Sequence, residues 1–216
     1  MKKIILHLCA DTGSDTRPYS LDDEYQVIRI GSNIGVENYH PPVGVYGIIA
    51  NPPCTEFSRA RSGGKPRLGD EGMFLVKECQ RIISQCESNG GLKFWVIENP
   101  ATGALRNYLG KPDYTYQPWW FGSPWTKKTA LWGYFNTPIR KYSEWEDVPK
   151  NPKLYVRKPR KGQTNRYTGK PEMHTLHKSA YDSIEEFWSL PRPKDDAEFR
   201  SICSQQFAEA FYKVNK

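Results

Sequence analysis

The sequence predicts an α/β fold, a doubly wound parallel sheet with helices on both faces. Two observations predict it. Five runs of strand length are spread along the chain, and between the third and fourth lies a stretch of helical period. A strand–helix–strand order with such apolar strands implies a sheet covered by helices. A length of 216 residues fits one domain with a small appendage.

Taken in order, Lys3–Cys9 and Tyr25–Ile30 read as the first two strands, separated by a Gly- and Asp-containing turn and a short helical or irregular piece. Val43–Ala50 (VGVYGIIA) and Lys93–Glu98 (KFWVIE) are the next two. Between them, Asp70–Ser88 spaces Phe74, Leu75, Cys79, Ile82, Ile83 and Cys86 for one buried helical face. Thr129–Phe135 (TALWGYF) reads as a further strand, and Ser201–Val214 as a terminal helix burying Ile202, Phe207, Ala210, Phe211 and Val214. Residues 1–140 and 196–216 then form the α/β domain, and 141–195 a basic, loop-rich insertion. In such sheets ligands bind beyond the carboxyl ends of the strands, which selects the segments after Cys9, Ala50 and Ile97.

Composition narrows the partners. No apolar run approaches the roughly 20 residues needed to span a bilayer, so no membrane association is expected. The start, Met1-Lys2-Lys3 and a short apolar stretch, mimics a signal peptide, but it holds His7 and runs into Asp11, so it reads as a strand. Five scattered cysteines form no CxxC pair and no zinc-like spacing with the histidines, which points to a reducing, cytoplasmic compartment and to no metal. The net charge of +7 lies in one stretch: residues 151–170 hold seven basic residues (Lys153, Arg157, Lys158, Arg160, Lys161, Arg166 and Lys170) and no acidic one, while the rest balances at 24 against 24. Pro152, Pro159, Gly162 and Gly169 make this loop chemistry. It is either a solvated loop or a phosphate-contacting arm with Tyr155 and Tyr167 for stacking, and clustered like charge favours the polyanion. The six rings of Tyr114, Tyr116, Trp119, Trp120, Phe121 and Trp125 read as core packing first and base stacking second.

The chemistry-bearing residues sit at the strand ends. After Ala50 comes Asn51-Pro52-Pro53-Cys54-Thr55-Glu56-Phe57-Ser58. Two prolines fix φ and remove two donors, so the chain leaves the sheet in a stiff turn that carries Cys54. A cysteine there is a nucleophile if its thiolate is stabilised, and a small buried hydrophobe otherwise. At the next strand end, Glu98 of Val96-Ile97-Glu98-Asn99-Pro100 is either a cap or paired structural residue, or a carboxyl whose burial lets it share a proton with a substrate.

Together these segments resemble the C5-cytosine DNA methyltransferase family. Pro53-Cys54-Thr55-Glu56-Phe57-Ser58 matches its Pro-Cys-x-x-Phe-Ser motif in full, and Glu98-Asn99 matches its Glu-Asn-Val motif with Pro100 in the third place. Phe121-Gly122-Ser123-Pro124 keeps the family's aromatic-Gly-x-Pro turn. Of the following Gln-x-Arg-x-Arg pattern one basic residue survives, as Lys127; Trp125 and Thr129 replace the Gln and the last Arg. The run from Ile49 to Phe135 is similar to small phage-type cytosine methylases, which lack a full target-recognition domain. The resemblance implies a Rossmann-like methyltransferase sheet and methyl transfer from S-adenosylmethionine to cytosine C5 in DNA, with Cys54 attacking C6, Glu98 binding N3 and the exocyclic amine, and Lys127 holding O2 or a phosphate. It implies cofactor contacts from Cys9, Ala10, Asp11, Thr12, Gly13, Asn51 and Pro52. Nucleic-acid contacts are expected from Ser58, Arg59, Asn99, Arg157, Lys158, Arg160, Lys161 and Arg166.

The match thins at the cofactor end. Where the family has Asp-x-Phe-x-Gly-x-Gly, this chain has His7-Leu8-Cys9-Ala10-Asp11-Thr12-Gly13, with Asp11 in place of a glycine. After the second strand, Ile30-Gly31-Ser32-Asn33 lacks the family's ribose-binding acid, leaving Asn33 or Glu37 as substitutes. Only about 65 residues, roughly 136–200, are available for target recognition, so low sequence specificity on single-stranded or duplex DNA is expected unless a protein partner supplies it. Alternatives are a degenerate methylase fold that binds nucleic acid or protein, methylation of a free cytosine nucleotide, and methylation of an exocyclic amine through an Asn51-Pro52-Pro53 motif.

Overall fold

The computed structural model describes residues 1–10, 12–55, 57, 70–151, 156–157, 175–176, 181–182, 187 and 189–216. Six strands form one mixed sheet: β1 (Lys3–Leu8), β2 (Tyr25–Ile30), β3 (Val45–Ala50), β4 (Phe94–Pro100), β5 (Tyr114–Tyr116) and β6 (Thr129–Tyr134), in the order β2-β1-β3-β4-β6-β5. Three further helices or helical turns are α1 (Arg17–Ser20), α2 (Asp70–Asn89) and α3 (Arg106–Leu109); near the C-terminus lie α4 (Asp196–Ser201) and α5 (Gln205–Asn215). A two-stranded antiparallel ribbon, β7 (Val156–Arg157) with β8 (Thr175–Leu176), lies within the region read from sequence as loop. Among the described residues no helix is long and apolar enough to cross a membrane.

Apolar side chains alternate between the two sheet faces, and each face has its own core. Leu6, Leu8, Ile48, Ala50 and Ile97 pack with Val76, Cys79, Ile82, Ile83 and Cys86 of α2. Ile5, Ile49, Phe94, Val96 and Leu131 pack with Tyr19 of α1 and with Phe207, Ala208 and Phe211 of α5. The α2 stripe differs from expectation at its start: Met73 is buried while Phe74 is 48% exposed. Phe74 stands roughly 140° around the helix from Cys79, on the far side. The aromatic run is mostly core: Tyr116, Trp119, Phe121 and Trp125 are buried, and Tyr116 stacks on Phe207 at 3.6 Å between centroids.

Two corrections concern the ends of elements. The terminal helix expected from Ser201 starts four residues later, at Gln205, because Ser204 accepts from Phe207 N at 3.1 Å as the cap of α5, and Ser201 is instead the last residue of α4. Ile202 consequently joins a separate cluster with Trp125, Phe187 and Phe199. The sheet is not wholly parallel: β1, β2, β3 and β4 pair in parallel, whereas β6 runs antiparallel to both β4 and β5. A buried strand shows the same apolar run in either direction, so composition did not reveal this reversal.

The reversed strand sets the geometry of the site. On one side, β4 pairs with β3 only as far as Ala50↔Ile97. On the other, β6 carries it on through Glu98↔Leu131, Asn99↔Ala130 and Pro100↔Thr129. Glu98 is therefore not a strand terminus, as read from sequence. It sits one residue beyond the β3 pairing, on a strand still held by β6. Gly133 permits this close pairing: its φ is +146° and a side chain there would collide with the Trp95 carbonyl.

Candidate active site

Three neighbouring strand ends, those of β1, β3 and β4, converge on one polar cluster. The chain leaves β3 with Asn51 N donating to Leu8 O at 3.0 Å. Pro52 is buried, and its carbonyl accepts from Asn99 Nδ2 at 2.9 Å. Cys54 is half-buried, and its carbonyl accepts from Phe57 N at 3.0 Å, closing a turn. Phe57, 1% exposed, anchors that turn in the α2-side core and meets Tyr108 edge-on. The cysteine is thus presented by a stiff loop pinned at both ends.

Glu98 faces the same space. Its Oε2 accepts from Asn51 Nδ2 at 3.3 Å, and the same nitrogen lies 3.5 Å from Asp15 Oδ1. Its Oε1 is buried and has no hydrogen-bond partner among the described residues. Lys127 enters from the loop before β6, donating from Nζ to the carbonyls of Ser201 and Ile202 at 3.1 and 3.3 Å, at the C-terminal end of α4.

These groups feel one another. Burial pushes the Cys54 thiol up, the Glu98 charge pushes it further, and Lys127 opposes both. Burial likewise pushes the Glu98 carboxyl above the ordinary range; Lys127 opposes, Asp15 adds to the rise, and the Asn51 amide opposes it. Burial alone would lower Lys127, but the charges of Glu98, Cys203, Asp15 and Cys54 outweigh it and hold the ammonium above its usual value. The result is a half-enclosed site with a thiol, a carboxyl biased towards its neutral form and a fixed cation.

At the end of β1 the chain turns through Cys9, the one described non-glycine residue with positive φ (56°). The thiol of Cys9 lies 3.9 Å from that of Cys79, so it faces α2. Ala10 is pinned by its N–H to Ile30 O at 3.1 Å. Thr12 and Ser14 are buried and joined through their hydroxyls, and Ser14 Oγ accepts from Cys203 N at 2.9 Å. Gly13 lies against the guanidinium of Arg29, which a side chain there would strike.

The structure thus brings together Cys54, Glu98, Lys127 and Asn51. It places Cys9, Ala10, Thr12 and Gly13 in an adjoining loop, with Pro52 beneath the turn. Asn99 differs from expectation: it is 1% exposed and ties down Pro52, so it supports the turn from below rather than lying on a surface. Asp11, Ser58, Arg59, Lys158, Arg160, Lys161 and Arg166 lie outside the described residues, as do Tyr155 and Tyr167, and Arg157 is described only as backbone of β7. Sequence reading missed Asp15, Thr16 and His7. Only His7 carried a signal, as a polar residue inside an otherwise apolar strand. A scan against protein-family models and a search of curated proteins return no match to this chain.

Proposed function

We propose that the protein is an S-adenosylmethionine-dependent methyltransferase acting on cytosine C5 in DNA through a covalent Cys54 adduct, on a doubly wound Rossmann-like sheet. The observation that carries the reading is the pairing of Cys54 with Glu98 in one partly enclosed field, with Glu98 Oε1 buried and lacking a partner among the described residues. A buried polar atom without a partner is costly, and a ligand donor or acceptor relieves that cost.

In this reading Cys54 sulfur, as thiolate, bonds to C6, and the C5–C6 π pair moves to C5. Glu98 shares the proton of its neutral form with N3 and accepts from the exocyclic amine, offsetting charge that would otherwise build on the ring. Lys127, held by the carbonyls of Ser201 and Ile202, supplies a fixed positive charge towards O2. Loss of the C5 proton to solvent water and departure of the Cys54 thiolate restore the ring. S-adenosylmethionine, when bound, supplies the electrophilic methyl group. Of the described residues at the β1 end, Ala10, Thr12 and Gly13 would hold it, with the Arg29 guanidinium beside Gly13 suited to its carboxylate and Glu37, in the helical turn Val36–Asn38 that follows β2, to its ribose hydroxyls. A base within a duplex has to leave the stack to reach these groups.

Cys54→Ser is the direct test: methyl incorporation into DNA should disappear while the circular dichroism spectrum stays unchanged. Retained turnover would refute the nucleophile assignment. A second reading, a methylase fold that binds nucleic acid or protein without catalysis, draws on the raised Cys54 thiol, which is not activated in the free protein. Calorimetric titration with S-adenosylmethionine separates the two, since a protein that does not bind the donor cannot use it.

A further inference from the structure

His7 is 1% exposed within β1, and both of its ring nitrogens are engaged. Nδ1 lies 2.8 Å from Thr16 Oγ1, and Nε2 lies 2.8 Å from Asn51 Oδ1. On its other side the Asn51 amide donates from Nδ2 towards Glu98 Oε2 and Asp15 Oδ1.

The donors and acceptors along this chain can be assigned. An amide oxygen only accepts, so His7 Nε2 carries a hydrogen and donates it to Asn51 Oδ1. In the neutral ring Nδ1 is then an acceptor, and the Thr16 hydroxyl, which also lies 3.4 Å from Gly13 O, gives its hydrogen to the nearer ring nitrogen at 2.8 Å. Reversing the Asn51 amide would turn its oxygen towards two carboxyl groups and require the opposite ring tautomer. The tautomer and the amide orientation fix one another. At Glu98 the consequence is an asymmetry: Oε2 is committed as an acceptor, so the proton of the neutral carboxyl belongs on Oε1, the buried atom left without a partner among the described residues.

We propose that His7 is a positioning residue of this site, holding the Asn51 amide so that Oε2 of Glu98 is reserved as acceptor and Oε1 alone meets N3 of the cytosine. The inference rests on the cytosine-methylation reading and deepens it. His7 touches no substrate. The Oε1 proton is shared with N3 while Cys54 is bonded to C6 and returns to Oε1 when the thiolate leaves, and neither His7 nor Asn51 gains or loses a proton.

Two measurements on the full chain test this. In long-range 15N–1H spectra, His7, assigned from the signal missing in His7→Gln, should show a hydrogen-bearing Nε2 and a bare Nδ1. An Nδ1–H tautomer, or a ring that titrates freely, overturns the proposal. In methyl-transfer kinetics, His7→Leu should lower kcat by about 10–100-fold, the scale of a misplaced catalytic group, with little change in KM for DNA. His7→Gln, whose amide can donate to Asn51 Oδ1, should recover part of the loss. Unchanged kcat in His7→Leu, or equal losses in the two variants, overturns it, and if His7→Leu does not fold, His7→Gln and the tautomer still decide. A wild-type protein that shows the expected tautomer but transfers no methyl group sinks the cytosine reading and not the His7–Asn51 relay.

Discussion

At Cys54 two charges of opposite sign act on one sulfur, Glu98 raising its pKa and Lys127 lowering it. Their removal should therefore shift thiol reactivity in opposite directions. Glu98→Gln should move the pH dependence of Cys54 alkylation to lower pH and Lys127→Met to higher pH, read by mass spectrometry of the peptide that carries Cys54. Shifts in the same direction contradict the shared field. Glu98 itself makes a stability prediction. Its folded pKa is raised by burial, so the neutral form is favoured, and its contribution is lost as pH rises through that folded value. Glu98→Gln should accordingly be more stable than wild type near pH 7, and the two should converge as pH falls below the ordinary carboxylate range. Thermal melts across pH check this; a Gln variant less stable at every pH contradicts it. On the proposed mechanism the same substitution should abolish methyl transfer.

At the scale of elements, the site depends on how β4 is held and how the turn after β3 is anchored. Asn99→Ala should leave the Pro52 carbonyl without its donor, costing about 1–3 kcal/mol in chemical denaturation. It should also lower activity through the loosened Cys54 turn. Gly133→Ala should cost a similar amount or more, since the added methyl meets the Trp95 carbonyl in the β4–β6 pairing. Wild-type stability in both variants would contradict the anchoring described. The strands are legible in sequence where apolar runs such as Thr129–Tyr134 announce themselves, and the edge strand Tyr25–Ile30, though only its end residues are buried, has the bounds its sequence predicts. Strand β5 was not legible: Tyr114–Tyr116 is three residues long within an aromatic stretch that reads equally as core. The direction of β6 was hidden as well, and with it the true place of Glu98. Cys54 and Glu98 could be named from their motifs, whereas Asp15, Thr16 and His7 joined the cluster only through the parallel β1–β3 pairing that sets His7 beside Ile49, two residues from Asn51.

Over the whole molecule, charge and chemistry are separated along the chain. The thiol lies beyond the end of β3, the carboxyl within β4 past its pairing with β3, and the ammonium just before β6, whereas the positive excess lies in residues 151–170. Neutralising Arg157, Lys158, Arg160 and Lys161 should weaken DNA binding and flatten its salt dependence. On duplex DNA the log–log slope should fall by about 0.9 for every phosphate that no longer meets a positive charge. An unchanged slope, read by fluorescence anisotropy at several salt concentrations, returns the segment to a solvated loop. The account as a whole turns on one transfer. DNA incubated with the protein and S-adenosylmethionine labelled in its methyl group, then digested to nucleosides and weighed by mass spectrometry, should contain labelled 5-methyldeoxycytidine, and none with Cys54→Ser. Label absent from the DNA, or found on an exocyclic amine, would contradict it.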